Sequence, residues 1–478
     1  MSTVEFFTSL KSPGNPLHHV WEHTVGSGHA LLALRADWQR DMNRCHRELG
    51  FKYVRFHGLL SDDVGTLVCE NDQLVYSFFN ADQICDFLLS IGMKPFIELS
   101  FMPTTLSSGG DIVFHYKDNV TPPKDFAAWG VLIEKLVGHW KNRYGVKEVS
   151  QWFFEVWNEP NLKAFWTGTQ EEYFKLYDVT VRAIKKVSPS FKVGGPATAQ
   201  NAWISEFLEY TSRNELEVNF ISTHHYPTDA FGKPGDNTEA QLAQSYRSVL
   251  KDEARGTYEK AEGKPVYYTE WSTSSNPFDE LHDQSYAAAY IIKTVLEVRE
   301  FVQGYSYWTF SDIFEENYFS SVPYHGGFGL LNIYGIPKPA YRAFELLHRL
   351  GTEITPVEGT HETVDVWLTR QEKTLKILAT NSSLPRHPVK TEIIKINLKD
   401  LDSFKTAYIE RIDDEHSNSY QRWIEMGKPQ SLNPNQVSAL ENASTLRKQP
   451  LTIAWESQMG ILEFSIPPQG VVCITLEL

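Results

Sequence analysis

Short, apolar, β-rich runs alternate with longer helical patterns from about residue 17 to residue 351. Several of the runs are apolar without strict alternation, as is typical of parallel strands buried on both faces. The eight strand-like runs are 17–26, 53–58, 94–100, 152–158, 191–196, 220–226, 265–271 and 305–311. Eight helical stretches separate or follow them, at 37–49, 80–92, 125–144, 169–188, 202–214, 238–260, 283–302 and 338–350. This alternation predicts an α/β fold, a (β/α)₈ TIM barrel over residues 17–351.

Beyond Gly351 the apolar positions follow a different pattern. Residues 364–369 and 375–380 alternate between apolar and polar positions around a polar turn, which predicts a hairpin. Further strand-like pieces lie at 391–398, 406–412, 460–466 and 470–476, and the one comparable helical pattern lies near 434–446. We therefore predict a C-terminal β-sandwich domain over residues 352–478. Residues 3–10, within the N-terminal segment 1–16, predict one more strand that could join the edge of that sandwich.

The length and charge of the chain limit the class of protein. A chain of 478 residues is long for one compact domain but suits a large barrel with a smaller domain. Aromatic residues make up 13% of it, with 13 Trp, which fits either a large core or aromatic platforms for sugars. The net charge of −15 excludes a nucleic-acid partner and disfavours a strongly anionic polymer as substrate.

Cysteine usage and hydropathy predict neither cross-links nor a membrane partner. The four cysteines are far apart, without a C-x-x-C pair, which is neither a disulfide framework nor a zinc site. The first residues lack a basic segment followed by an apolar one, and no run reaches the roughly 18 apolar residues of a membrane span. We expect a cytoplasmic protein, and the sequence leaves its oligomeric state open.

Polar residues end several of the predicted strands, where the active sites of barrels lie. These residues are Arg55 and His57 on the second strand, Asn158 and Glu159 on the fourth, His224, His225 and Tyr226 on the sixth, Glu270 on the seventh and Trp308 on the eighth. Glu159 and Glu270 fall on opposite sides of the barrel mouth. Hydrolysis of a glycosidic bond needs such a pair, one carboxyl to protonate the leaving oxygen and the other to attack or to activate water.

Each of these candidates also has a structural interpretation. Glu159 could stabilise the start of the following helix, and Glu270 could be a buried structural carboxylate. Arg55 could hold a catalytic carboxylate in its charged form or belong to a structural ion pair. Trp308 could be a sugar platform or a core residue. The motif Trp-Asn-Glu-Pro at 157–160, matched by Thr-Glu-Trp at 269–271, favours the catalytic interpretation of the two carboxylates.

Adjacent histidines follow the sixth strand. Neighbouring residues of a strand point to opposite faces, so only one of His224 and His225 can face the site. His224 shares its face with Tyr226, which favours His224. The same rule separates the two imidazoles and disfavours zinc, and no His-Glu-x-x-His helix occurs. We therefore predict no metal and no cofactor.

Several motifs resemble those of glycoside hydrolase family 39, within the large clan of (β/α)₈ retaining glycosidases. The matching segments are 26–30, 154–162, 268–271, 307–312 and 326–330. A further stretch, 412–418, resembles the sandwich domain of the β-xylosidases, which with the α-L-iduronidases are the family's best-known members. The resemblance runs from about residue 20 to the end of the chain.

The resemblance implies a role for each candidate. It implies Glu159 as the general acid/base and Glu270 as the nucleophile, with a covalent xylosyl-enzyme intermediate and net retention of configuration. The residues that it implies for the subsite of the terminal sugar are Arg55, Asn158, His224, Tyr226 and Trp308. It also implies that Glu315 or Glu316, in the last barrel loop, binds sugar hydroxyls.

The charge of the last barrel loop bears on the substrate. An iduronidase must neutralise a sugar carboxylate, most naturally with Lys or Arg. Residues 309–337 contain neither, but carry Asp312, Glu315 and Glu316, whereas Lys233 in the loop after the sixth strand argues the other way. We predict an exo-acting β-xylosidase whose partners are neutral saccharides, xylobiose and short xylo-oligosaccharides. The alternatives are an α-L-iduronidase, an α-L-arabinosidase, a β-glucosidase, an endo-xylanase and a non-catalytic carbohydrate-binding barrel.

Overall fold

Eight parallel strands close into a barrel and occur around it in chain order. The computed structural model describes residues 3–230, 237–318, 320–456 and 459–478, and Lys233 lies outside them. The barrel strands are β1 (Thr24–His29), β2 (Tyr53–His57), β3 (Lys94–Leu99), β4 (Phe153–Val156), β5 (Lys192–Ala199), β6 (Phe220–His224), β7 (Val266–Trp271) and β8 (Gly304–Tyr307). The predicted (β/α)₈ barrel is confirmed.

One long helix follows each barrel strand. These helices are α1 (Ala36–Leu49), α2 (Phe79–Ser90), α3 (Phe126–Tyr144), α4 (Gln170–Val187), α5 (Ile204–Arg213), α6 (Val249–Lys260), α7 (Ser285–Val298) and α8 (Pro339–His348). Their ends carry local stop and start signals. Thr169 and Glu172 form a reciprocal capping box at the start of α4, and Gly50 caps the C-terminal end of α1 with a φ of 76°, which suits glycine.

Shorter elements fill the connections. They are the α-helical turns Val146–Val149 and Thr238–Ala243, the 3₁₀ helices Val20–Glu22, Ala30–Leu34 and Glu280–Asp283, and the two-stranded pairs Leu67–Glu70 with Gln73–Tyr76 and Ile112–Val113 with Asp118–Asn119. No helix of the described residues is both long and apolar enough to cross a membrane.

Two predicted barrel elements are wrong in detail. The first strand begins at Thr24 rather than at residue 17, because Val20–Glu22 form a 3₁₀ turn that buries Val20 and Trp21. A short apolar run fits a buried turn as well as a strand, so its pattern alone could not separate the two. The predicted helix 238–260 is two helices with a break at residues 244–248.

Two sheets form the second region of the chain. The four-stranded sheet has the order Thr3–Ser9, Glu392–Lys399, Met459–Ile466 and Ala454–Glu456. The seven-stranded sheet has the order Asn15–Pro16, Glu353–Thr355, Val364–Gln371, Thr374–Asn381, Gly470–Glu477, Thr406–Ile412 and Gln449–Pro450. Apolar side chains from both sheets share one core, among them Phe6, Ile396, Leu368 and Ile474. The N-terminal strand pairs in parallel with Glu392–Lys399.

Two helices accompany the sandwich, Ser419–Glu425 and Pro434–Ser444. The first was not predicted, because seven residues are too few for a helical period to stand out. Both the sandwich and these helices pack closely against the barrel. The Nε of Arg342 on α8 donates to the Ser444 carbonyl at 2.7 Å, and Arg349 Nη1 lies 3.1 Å from Glu410 Oε1.

Candidate active site

The inside of the barrel is built in layers, because every second residue of a strand points inward. Aromatic rings fill the lower layer: Tyr53, Phe96, Phe153, Phe220 and Tyr267. The next inward positions, two residues further along each strand, are polar: Arg55, Glu98, Glu155, Ser222 and Thr269. The aromatic layer therefore closes the barrel beneath a fully buried polar layer, on which the candidate site lies.

The Arg55 guanidinium is the centre of this polar layer. Its Nε donates to Glu155 Oε2 at 2.6 Å, its Nη1 to Glu270 Oε1 at 2.7 Å, and its Nη2 to Asn158 Oδ1 at 3.0 Å. The Nη2 atom also lies 2.8 Å from Glu98 Oε2. Burial alone would lower the pKa of Arg55, but the three carboxylates outweigh it and raise the pKa above its ordinary value. Arg55 is thus a fixed buried cation.

Glu270 reaches the site through an irregularity in β7. Tyr268 pairs with Thr223 and Glu270 with His224, so Thr269 is an extra residue between two paired positions. Such a bulge re-aims the side chains around it. Both oxygens of Glu270 are then held, Oε1 by Arg55 and Oε2 by the Tyr226 hydroxyl at 2.9 Å. A carboxylate fixed in this way, with a cation beside it, is suited to nucleophilic attack.

Glu159 lies in the turn that follows β4. Trp157 and Glu159 have positive φ angles of 72° and 42°, and the Glu159 amide donates to the Ala197 carbonyl at 2.8 Å. These turn contacts direct the carboxyl group inward, where its Oε1 lies 2.9 Å from His224 Nδ1. Burial raises the pKa of Glu159 well above its ordinary value, and the nearby charge of Glu270 raises it further. A carboxyl group with a raised pKa is suited to donate a proton.

The separation of the two carboxyl groups fits one stereochemical class of glycosidase. An oxygen of Glu159 and an oxygen of Glu270 lie within 4.8 Å of each other. Retaining enzymes have carboxyl groups about 5–5.5 Å apart, whereas inverting enzymes need about 6.5–9.5 Å to admit a water molecule. The geometry therefore suits direct attack by Glu270 rather than attack by an intervening water.

A cavity of about 300 Å³ opens above the two carboxyl groups. Glu159, Glu270 and Glu316 contribute acidic groups to its wall, and its aromatic lining residues are Phe114, Phe165, Tyr226, Trp308 and Phe328. Trp308 is 2% exposed and lies over the polar layer, with its ring 5.9 Å from the Arg55 guanidinium carbon. Aromatic faces with a few convergent polar groups are typical of a small-ligand site.

The structure brings most of the predicted site residues together, but not all of them. Arg55 and Asn158 lie beneath Glu270, His224 lies beside Glu159, and Tyr226 and Trp308 line the cavity.

The two predicted loop carboxylates, Glu315 and Glu316, differ in their contacts. Glu316 lines the cavity with its Oε1 3.4 Å from His57 Nε2, and burial raises its pKa to about 7. The Oε1 atom of Glu315 instead accepts a hydrogen bond from Arg35 at 2.9 Å.

Sequence reasoning missed the buried groups that support the site. Glu98, Glu155 and Thr269 were not predicted, and His57 was noted only as the end of a strand. His57 Nδ1 lies 2.7 Å from Glu98 Oε2. Burial opposes its positive charge, but Glu98 and Glu316 raise the pKa of His57 well above its ordinary value. The signal that could have found Glu98 and Glu155 is a charge at an inward position of a strand that is otherwise apolar.

Three side chains lie close enough together to be considered as a cation site: Glu159, His224 and Glu270. One possible ligand atom from each lies within 4.8 Å of the other two. Two contacts oppose that interpretation. The Arg55 guanidinium already neutralises Glu270, and a second cation beside it would be repelled. His224 Nδ1 is directed at Glu159 Oε1. Both contacts therefore argue against a cation held by these three groups.

Comparison with known proteins identifies the family. The chain matches the family described as Glycosyl hydrolases family 39 over residues 8–458. The chain belongs to this family. It is 47% identical to a β-xylosidase of Caldicellulosiruptor saccharolyticus over 96% of each chain, and 35% identical to one of Geobacillus stearothermophilus over 93% of this chain and 90% of that relative.

A solved structure supports the same assignment. The crystal structure of a monomeric β-xylosidase from Caulobacter crescentus CB15 is 34% identical, has a TM-score of 0.89 and covers 99% of both chains. The predicted resemblance to glycoside hydrolase family 39 is confirmed. Enzymes of this family are retaining glycosidases, which agrees with the short distance between Glu159 and Glu270.

Proposed function

We propose that this family 39 enzyme is an exo-acting, retaining β-xylosidase that releases xylose from the non-reducing end of xylobiose and short xylo-oligosaccharides. The observation that carries the proposal is the buried pair Glu159 and Glu270, whose oxygens approach within 4.8 Å above a fixed guanidinium. Two relatives that align over at least 90% of their own length are named β-xylosidase. Residues 17–351 are the proposed catalytic domain, and residues 1–16 and 352–478 form the proposed accessory sandwich.

In the first half of the reaction, the ionised Glu270 attacks the anomeric carbon while the protonated Glu159 gives its proton to the leaving oxygen. Arg55 and Tyr226 hold both oxygens of the nucleophile in place, which orients it for attack. The raised pKa of Glu159 keeps its proton available near neutral pH. The bond between the sugar and the leaving oxygen breaks as the bond to Glu270 forms.

In the second half, water attacks the glycosyl-enzyme ester and Glu159 accepts the proton of that water. Esterification removes the negative charge of Glu270, which is one of the groups that raise the pKa of Glu159. The pKa of Glu159 therefore falls in the intermediate, so that the residue is ionised when it must act as a base. Two inversions at the same carbon give net retention.

The charge of the cavity favours a neutral sugar. Its described lining residues include Glu159, Glu270, Glu316 and Asp229 but no Lys or Arg, and a uronate carboxylate would meet these acidic groups. The volume of about 300 Å³ lies at the lower end of the usual range of ligand cavities, about 300–1,000 Å³. A pocket of that size suits one terminal pentose rather than a long stretch of polymer.

The choice of sugar is tested by comparing four nitrophenyl glycosides: β-xyloside, α-L-arabinoside, β-glucoside and α-L-iduronide. We expect kcat/KM to be highest on the xyloside, and lower on the iduronide by at least about 100-fold, since an unpaired carboxylate would be buried beside acidic groups. A clear preference for the iduronide would overturn the proposed substrate. Product analysis on polymeric xylan separates exo action, which gives xylose from the start, from endo action, which gives mixed oligosaccharides first.

Replacing Glu159 by alanine should affect substrates according to their leaving group. We expect hydrolysis of xylobiose to fall by about 10²–10⁴-fold, because that leaving oxygen needs the proton. Formation of the intermediate from a dinitrophenyl xyloside should change little, since that leaving group departs unprotonated. Azide fits the space left by the carboxylate and should accelerate breakdown of the intermediate, giving β-xylosyl azide. Equal losses on both substrates, with no azide product, would contradict the role of Glu159.

A further inference from the structure

A chain of four hydrogen bonds joins five groups and leads from the acid/base residue into the polar layer of the barrel. Glu159 Oε1 lies 2.9 Å from His224 Nδ1, and His224 Nε2 lies 3.0 Å from Thr269 Oγ1. The Thr269 hydroxyl in turn donates to Glu155 Oε1 at 2.7 Å. The other oxygen of Glu155 accepts from Arg55 Nε at 2.6 Å. Glu159 also lines the cavity, but the other four groups are fully buried, so water does not compete for the hydrogen bonds among them.

The direction of each hydrogen bond follows from the carboxylate at the inner end. Burial and the nearby charge of Glu98 raise the pKa of Glu155 even though the Arg55 guanidinium opposes them. The 2.6 Å contact from Arg55 Nε to Glu155 Oε2 is the geometry of a charge-assisted hydrogen bond, which requires the carboxylate. A carboxylate only accepts, so the single hydroxyl proton of Thr269 points at Glu155. The Thr269 oxygen can then only accept from His224. His224 Nε2 must therefore carry a proton.

The tautomer of His224 then decides the state of Glu159. Burial lowers the pKa of His224 well below its ordinary value, and the cations Arg55 and His57 lower it further, so the ring is neutral. A neutral ring with its proton on Nε2 has an unprotonated Nδ1, which only accepts. Glu159 Oε1 faces that nitrogen at 2.9 Å and makes a hydrogen bond only if it carries the proton itself.

We infer that Thr269 is a positioning residue that fixes the tautomer of His224 and thereby holds the acid/base Glu159 in its protonated form. The inference rests on the proposed function, since it concerns the same acid/base residue. It also fits the second half of the reaction. Once Glu159 has lost its proton, its carboxylate faces the lone pair of Nδ1, which makes it a stronger base toward the attacking water.

Other charged and titratable groups also act on Glu159, so the test must leave them unchanged. They are Glu270, His57, Arg55, Glu316 and Tyr226. Thr269→Val meets this condition, because it removes the hydroxyl and alters no charge. Thr269→Ser is the matched control, since it keeps the hydroxyl and loses only a methyl group.

The measurement is the pH dependence of kcat/KM on phenyl β-xyloside. Activity is lost as the pH rises through the pKa of Glu159, because the acid must be protonated. For Thr269→Val we expect this loss to move to lower pH by about one unit. We also expect a loss of up to about 10-fold on the phenyl substrate at neutral pH, but less than about threefold on a dinitrophenyl xyloside, which needs no acid. Thr269→Ser should restore the wild-type profile.

Each outcome has one meaning. If Thr269→Val keeps the wild-type pH profile, or loses equal activity on both substrates, the positioning role is overturned. If the wild-type enzyme hydrolyses no xyloside, the proposed function fails instead. Should Thr269→Val not fold, Thr269→Ala tests the same point, because it also removes the hydroxyl without altering a charge. That variant should also lose activity at lower pH, and an unchanged profile would again overturn the role.

Discussion

Replacing Glu270 by glycine is expected to lower kcat/KM on every xyloside by at least about 10⁴-fold, since it removes the carboxylate that forms the glycosyl-enzyme. The structure gives the reason, because Arg55 and Tyr226 hold both oxygens of Glu270 beneath the cavity, in the orientation that attack on the sugar needs. The loss should appear equally on activated and unactivated xylosides. Glu270→Gln, which keeps the shape but not the charge, should lose as much.

The control variant is Glu300→Gln. Glu300 lies just before β8, at the end of the barrel opposite the candidate active site. The carboxylate of Glu300 is 68% exposed, and its change should leave kcat/KM and thermal stability at wild-type values. Circular dichroism and thermal unfolding show whether Glu270→Gly remains folded. A folded Glu270→Gly enzyme that still hydrolyses xylosides at rates near those of the wild type would contradict the assignment of the nucleophile.

Replacing Arg55 by methionine is expected to damage both stability and activity. The guanidinium contacts Glu98, Glu155 and Glu270, all buried, and its removal leaves their charges uncompensated. Breaking a buried ion pair typically lowers the free energy of unfolding by about 3–5 kcal/mol. Activity should fall by roughly 10²–10³-fold, because the nucleophile loses the group that orients it and stabilises its charge. Urea unfolding and steady-state kinetics measure the two effects.

The variant Arg349→Met separates the loss of stability from the loss of activity. Arg349 also contacts a buried carboxylate, that of Glu410, but at the junction of barrel and sandwich rather than in the site. It should lower the free energy of unfolding while leaving kcat/KM of the folded enzyme unchanged. If Arg55→Met kept wild-type kcat/KM, Arg55 would be structural, the alternative that the sequence left open. Arg55→Lys should recover little, because one ammonium group cannot reproduce the planar contacts of a guanidinium.

The features that the sequence could predict are those that follow from the regular succession of strand-like runs and helical stretches. The barrel was predictable because parallel strands buried on both faces give continuous apolar runs, and helices separate them regularly. Glu159 and Glu270 could be proposed because carboxyl ends of barrel strands share one face. The boundaries of the elements were less predictable. Val20–Glu22 form a 3₁₀ turn where a strand was expected, because a buried Trp21 fits a strand and a buried turn equally well.

The features that the sequence could not predict depend on contacts between distant elements. Strict alternation would place Thr269 and Glu270 on opposite faces, whereas the bulge in β7 lets both reach the polar layer. Glu315 and Glu316 are equivalent in sequence, and they differ in the structure because Arg35 binds the first while His57 lies beside the second. Neither outcome is encoded within the segment that contains the residues.

The central claim is that Glu270 forms a covalent bond to the sugar while Glu159 exchanges the proton. Dinitrophenyl 2-deoxy-2-fluoro-β-xyloside tests it most directly, because its leaving group permits the first step and its fluorine slows the second. Mass spectrometry of the intact enzyme followed by peptide mapping then locates the label. We expect one 2-fluoroxylosyl group per chain, on the peptide that contains Glu270. A label on Glu159 or on any other residue would contradict the account.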